Sequence, residues 1–346
     1  MKSKLLLVCL SLIWLSGCYY LKQGRGQLDL RFSQIAIESA LEQEPNPTYR
    51  HLFEEIPRIK SFAQNRLLLR KSDNYTGYYK TSQPGVTFVV TASPKDKLTP
   101  YTWWFPIVGS VPYKGYFNQK EAEELAENLE SRHFDTWVFA APAYSTLGWF
   151  KDPVTTPMLK RGGYYLASTI IHEMVHETVF VSGEDAFNEQ LASFVGQEGA
   201  MQYFAETKPM SQEQVAALRE KVKRSTRFAE TVQRYLPRFR DLYDRQQQPE
   251  VILAQRKILF SELEMEIGQL YPQLPVNRRR FNNARLLQYE RYAPDSPVIQ
   301  KMWMDSNGDW SRFWKVVDAY VDEITEKKGK EPVAMTQAVE NISYTE

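Results

Sequence analysis

Apolar residues recur at helical spacing through much of this chain, and the departures from that period divide it. From Leu21 to Lys71 the pattern is helical, with breaks predicted around Pro45-Asn46-Pro47 and near Pro57, where proline removes a donor and restricts its neighbour. The character then changes. Gly85-Val86-Thr87-Phe88-Val89-Val90-Thr91 is rich in β-branched residues and reads as a strand. Pro106 to Tyr116 reads as a second extended segment whose proline suits a sheet edge or bulge. Asn118 to Arg132 predicts an amphipathic helix with Asn118 as N-cap, and Asp135 to Pro142 another strand. This order predicts a small mixed sheet. Ala143 to Phe150 is aromatic and polar without a period, and suits equally a loop lining a cleft or a packed aromatic turn.

A helix is predicted to start after Gly162-Gly163 and run to about Val181, ended by Ser182-Gly183. A second runs from Asp185, as N-cap, through Tyr203. So short a connection requires an antiparallel hairpin. Beyond Phe204, helices are expected at Ser211 to Gln246, Glu250 to Leu270, Asn277 to Tyr292 and Asp309 to Glu326, the first two as a long hairpin. The fold class is therefore α+β and mostly helical. A sheet-containing part spans about 75–160, the helix pair 163–204 and a helical part 205–326, with a polar tail from 327.

Composition and charge narrow the picture. The chain has 346 residues, 43% hydrophobic and 25% charged, enough for a large core. Its net charge of +1 gives no field for nucleic acid, and Arg278-Arg279-Arg280 is too short a run to change that. Lys2 and Lys4 precede an apolar run from Leu5 to Leu15, which reads as a signal peptide over residues 1–17. Leu15-Ser16-Gly17-Cys18 resembles the lipobox of bacterial lipoproteins. On that reading Cys18 is acylated, residues 18–24 form a tether, the folded body runs from 25 to 326, and the membrane is a partner through lipid. Of two cysteines, Cys9 is removed, so no disulfide is possible. Tyr19 follows Cys18 in place of an inner-membrane retention aspartate, which favours an outer-membrane anchor facing the periplasm.

Candidate chemistry gathers in Ile171-His172-Glu173-Met174-Val175-His176. On a helix His172 and His176 project from one face, one turn apart, where two imidazoles can grip one metal ion. Glu173 cannot reach the same coordination position, but it can hold a water and take its proton during hydrolysis. His51 and His133, the other two histidines, have no such company and read as surface or capping residues. Counting outward from the hairpin turn, His176 and Glu189 stand at the same level, which makes Glu189 the third ligand. Glu184 and Asp185 fall too near the turn, and Glu198 about two turns too far. Ala192, Ser193 and Gly196 share the Glu189 face and would let the two backbones come close.

With these residues in view the chain resembles the bacterial predicted aminopeptidases, which are exported or lipid-anchored. The resemblance is carried by Val111-Pro112-Tyr113-Lys114-Gly115-Tyr116-Phe117, Ala143 to Phe150 with Asp152-Pro153, the histidine motif, Phe187-Asn188-Glu189, and Asn282-Asn283-Ala284-Arg285-Leu286. It implies a zincin-like zinc peptidase of the gluzincin type, in which two histidines and a more distant glutamate bind Zn2+. A peptide is then the substrate, and Tyr144 is the candidate oxyanion donor. An aminopeptidase also needs a group for the substrate's amine, and no residue is assigned to it. Gly199-Ala200-Met201-Gln202 lacks the glutamate of the similar segment in another aminopeptidase family and follows the motif instead of preceding it. A zinc endopeptidase and a non-catalytic metal-binding scaffold are the alternatives. Asn283, Arg285, Tyr289 and Tyr292 suit either the far wall of a cleft or, more simply, helix packing and hydrogen bonds to loop ends.

Overall fold

The computed structural model describes residues 19, 21–105, 109–143, 151–207, 212–245, 247–291 and 296–327. Cys18, Tyr144 and Tyr292 lie outside the described residues, as do the expected signal peptide and nearly all of the polar tail. The chain is mostly helical with small sheets, an α+β arrangement.

Helix α1 (21–32) leads into strand β1 (Ile35–Ala36), then α2 (Ile37–Gln43) and α3 (Pro47–Asn65). Asn46 caps α3 by accepting from the Thr48 amide at 2.9 Å. The break expected at Pro57 does not occur, and α3 runs through it. Leu52, Phe53, Ile56, Ile59 and Phe62 are buried along one face, and packing of that face outweighs one missing hydrogen bond.

Strands β2 (Gly77–Tyr79) and β3 (Thr87–Pro94) follow, then β4 (Trp103–Phe105), β5 (Gly109–Val111), β6 (Lys114–Tyr116), α4 (Gln119–Ser131) and β7 (Phe134–Ala141). Asn118 caps α4 as expected, accepting from the Glu121 amide at 3.3 Å. The strands are divided among three small sheets. β6-β3-β7 is antiparallel, with Thr87 opposite Ala141 and Val89 opposite Gly115. Phe88, Val90 and Tyr116 pack on Ala122 and Ala126 of α4. The mixed sheet is a different one, β1-β2-β8, in which β2 lies parallel to β8 (Val154–Thr155). β4 and β5 pair with each other.

Helix α5 (Thr156–Lys160) leads to α6 (Gly163–Thr178) and α7 (Asp185–Thr207). Around this pair lies the main core, built also from α3, α12 (Pro297–Asp305) and α13 (Trp310–Lys327). Trp314 donates to the Leu67 carbonyl at 2.7 Å and Tyr203 to Glu55 at 2.7 Å, so buried polar ends are satisfied. A second core joins α8 (Gln212–Tyr243) and α9 (Pro249–Leu270), the expected long hairpin, with α11 (Asn283–Arg291). The single helix expected over 277–292 is two, α10 (Val276–Arg279) and α11. Between them the Phe281 amide leaves the helical pattern to donate to Glu264, and Asn282 caps α11 through the Arg285 amide at 3.0 Å.

Candidate metal centre

Helix α6 owes its place to an apolar stripe, since Leu166, Ala167, Ile170, Ile171, Met174 and Val175 are all fully buried. It starts after Gly162, whose φ of +90° suits glycine, and ends where the Val179 amide bonds the Val175 carbonyl. The turn to α7 bends at Gly183, φ +78°. Buried Asn188 clamps it, accepting from the Val181 amide at 2.9 Å and donating to the Val181 carbonyl at 2.8 Å. The next residue is Glu189, so this clamp also sets the position of the carboxylate.

Along the hairpin the backbones approach closely. A Cβ at Gly196 would lie 2.7 Å from the Ser168 carbonyl and 3.1 Å from the His172 Cβ. That closeness brings the three expected side chains together. His172 Nε2 and His176 Nε2 are 3.2 Å apart, His172 Nε2 is 3.4 Å from Glu189 Oε2, and His176 Nε2 is 3.7 Å from Glu189 Oε1. Among the described residues this is the one group of histidine and acidic side chains that could hold a metal ion. Taking one ligand atom from each residue, all three lie within 4.8 Å of one another. Ligand atoms around a tetrahedral zinc at about 2.0–2.1 Å are about 3.3 Å apart, so a small turn of the Glu189 carboxylate would bring them to that spacing.

The electrostatics suit a cation. Burial alone would raise the Glu189 pKa, but hydrogen bonding and charge from both imidazoles more than offset it and hold the carboxyl well below its usual range. Burial opposes protonation of His176, and Glu189 with Glu173 overcomes this and raises its pKa. Glu173 lies beside the pair, and its Oε2 is buried with no hydrogen-bond partner. His176 Nδ1 is likewise buried without a hydrogen-bond partner, and Glu189 Oε2 is buried with only the 3.4 Å ion contact to His172. Buried polar atoms left without hydrogen bonds are uncommon and call for a further partner.

The alternatives fall where turn counting puts them. Asp185 sits at the hairpin turn, where burial raises its pKa against nearby Arg291, and Glu198 pairs with Gln202 at 2.9 Å. His51 is exposed beside Glu54, and His133 is an exposed turn residue with φ +64°. Asn283 and Arg285 serve structure: Asn283 donates to the Pro94 carbonyl at 2.8 Å, and Arg285 donates to the Arg278 carbonyl at 2.9 Å. Tyr289 packs on Phe228 and Phe281.

A polar network behind Glu173 had no counterpart in the sequence reading. Glu177, one turn on, accepts from Ser72 Oγ at 2.8 Å and Asn74 Nδ2 at 2.6 Å. Asn74 also accepts from the Asp152 amide at 2.8 Å, and Lys60 donates to the Asn74 carbonyl. Burial raises the Glu177 pKa against those hydrogen bonds and Lys60, while burial lowers that of Lys60. The only sequence signal for this network was Asp152 within a family-like stretch.

A model of the putative aminopeptidase family matches residues 18–331, and the chain belongs to that family. No curated protein and no solved structure matches it.

Proposed function

We propose that this family member is a zinc-dependent peptidase of zincin-like architecture, working as an aminopeptidase and tethered by lipid on Cys18 to the bacterial envelope, facing the periplasm. The carrying observation is that two imidazole nitrogens and a carboxylate come within 3.7 Å of one another beside a buried second carboxylate, Glu173. His172, His176 and Glu189 would hold Zn2+, which supplies Lewis-acid polarisation of the scissile carbonyl. Glu173 would take the proton of the attacking water and deliver it to the leaving amine. Its buried setting helps, because a low-dielectric wall strengthens its interaction with charge developing in the site. Tyr144 remains the proposed oxyanion donor. The preference for free amino ends rests on the family.

The decisive experiment is Glu173→Gln. Zinc content and thermal stability should stay nearly unchanged while hydrolysis falls by orders of magnitude. The substrate should be a mixed peptide library with free amino ends, run beside the same library acetylated. Loss of cleavage on acetylation supports the aminopeptidase; internal cuts in both sets establish an endopeptidase. No turnover in either form of the protein would leave a metal-binding scaffold. Separately, Cys18→Ala should abolish lipid labelling, and labelled protein from that variant refutes the anchor.

A further inference from the structure

Tyr75 lies in a position that packing alone does not explain. Its side chain is 2% exposed, its hydroxyl has no hydrogen-bond partner among the described residues, and its backbone is left-handed at φ +61°. A left-handed aromatic residue and an unmet buried hydroxyl are both unfavourable, and such features persist where the surroundings impose them. The surroundings here are rigid. The Tyr75 amide donates to the Asp152 carbonyl at 2.7 Å, and the preceding Asn74 is bonded to Glu177 at 2.6 Å. Strand β2 begins two residues later.

Glu177 is one helical turn beyond Glu173, so a loop bonded to Glu177 lies along the face of α6 that carries Glu173. Among the charges around the Tyr75 hydroxyl, Glu173 acts most strongly, ahead of Asp152 and Glu177. Glu177 Oε1 already accepts two hydrogen bonds. Glu173 Oε2 accepts none. One buried donor without an acceptor and one buried acceptor without a donor therefore lie on the same side of α6, not bonded to each other in this structure, and neither is within reach of bulk water. Burial pushes the phenol pKa well up, so the hydroxyl keeps its proton and remains a donor at neutral pH.

We propose that Tyr75 is a positioning residue for Glu173: in the zinc-loaded protein its hydroxyl donates to the Glu173 carboxylate and holds that group turned towards the metal centre. One carboxylate oxygen is then fixed and the other is free to accept the proton. The inference rests on the reading of Glu173 as the base.

Tyr75→Phe in the full chain tests it, because phenylalanine fills the same space and a purely structural tyrosine would lose nothing. With zinc bound, kcat should fall about 10- to 100-fold, the range for one hydrogen bond to a charged group, with KM within about twofold. Zinc content should not change. An unchanged kcat overturns the proposal. Unfolding of the zinc-loaded protein supplies a second arm without turnover: the Tm shift caused by Tyr75→Phe should shrink or vanish in a Glu173→Ala background. Equal shifts in the two backgrounds also overturn it. If the full chain cleaves no peptide, the proposed function falls, and the unfolding comparison still decides whether Tyr75 and Glu173 are coupled.

Discussion

Between α6 and α7 the chain backbones meet at Gly196, with the Ser168 carbonyl oxygen only 2.7 Å from where a Cβ would stand. Between α8 and α9 the contact is made by long side chains. Phe239 and Phe260 lie 4.4 Å apart between ring centres, and Arg238 with Glu262 at 2.6 Å lines the rim. Both are antiparallel helical hairpins, but they solve different problems. On the proposed reading the first has to place three ligand atoms within tenths of an ångström, and only small residues give a backbone spacing that side-chain rotation cannot change. The second fills a core with flexible aromatic packing, which can absorb small shifts. The difference suggests where the molecule is intolerant of change: at the spacing of α6 and α7 more than in the surface pairs of α8 and α9.

The largest expected effect is in the first hairpin. Glu189→Ala should leave no zinc on the protein after gel filtration, as measured by atomic absorption, while the wild-type chain keeps about one per chain. Zinc retained by this variant would remove Glu189 from the ligand set. Acidification should act in the same direction. The His176 pKa is raised in the metal-free protein, so its protonated form is favoured below the folded value, and protons should begin displacing zinc above the ordinary imidazole pKa of 6.5 as pH falls. A zinc affinity that does not weaken as pH falls through that range would contradict the histidine ligands.

Next comes a buried ion pair of the second hairpin. Arg256 of α9 pairs with Asp135 of β7, both nearly buried, and the same carboxylate oxygen accepts from the Asn283 amide at 2.9 Å. Arg256→Ala strands that charge and should cost about 3–5 kcal/mol in denaturant unfolding. A cost near zero would mean that the hairpin is held to the sheet by its apolar layer alone.

Gly196→Ala sharpens the contrast itself. It adds one methyl group where backbone stands in the way, and should cost about 1–3 kcal/mol while weakening zinc retention, since His172 Cβ is next to it. Neutrality in both readouts would break the argument that backbone spacing sets the site. The smallest effect is expected for Arg238→Ala. Its side chain and that of Glu262 are each nearly half exposed, and the pair should contribute less than about 1 kcal/mol, with no change in zinc.

The amino-acid sequence by itself determined the parts of this protein that repeat locally. The i, i+4 spacing placed His172 and His176 on one face with Glu173 beside them, and turn counting over a short connection brought in Glu189. The caps Asn46 and Asn118 act within a few residues of themselves: Asn118 could be read directly, and the break before Pro47 marked the other. Only the tertiary structure decided the rest. Pro57 stays inside α3 because one buried face holds that helix, and the expected helix over 277–292 divides because Glu264, in another helix, captures the Phe281 amide. Strands of two or three residues such as β1, β2 and β8 are too short to show a period. Ser72, Asn74 and Tyr75 reach the Glu173 face of α6 from about 100 residues away on a loop. A helix announces its faces because each turn repeats the last, whereas a loop residue acquires its partner only when the elements around it pack.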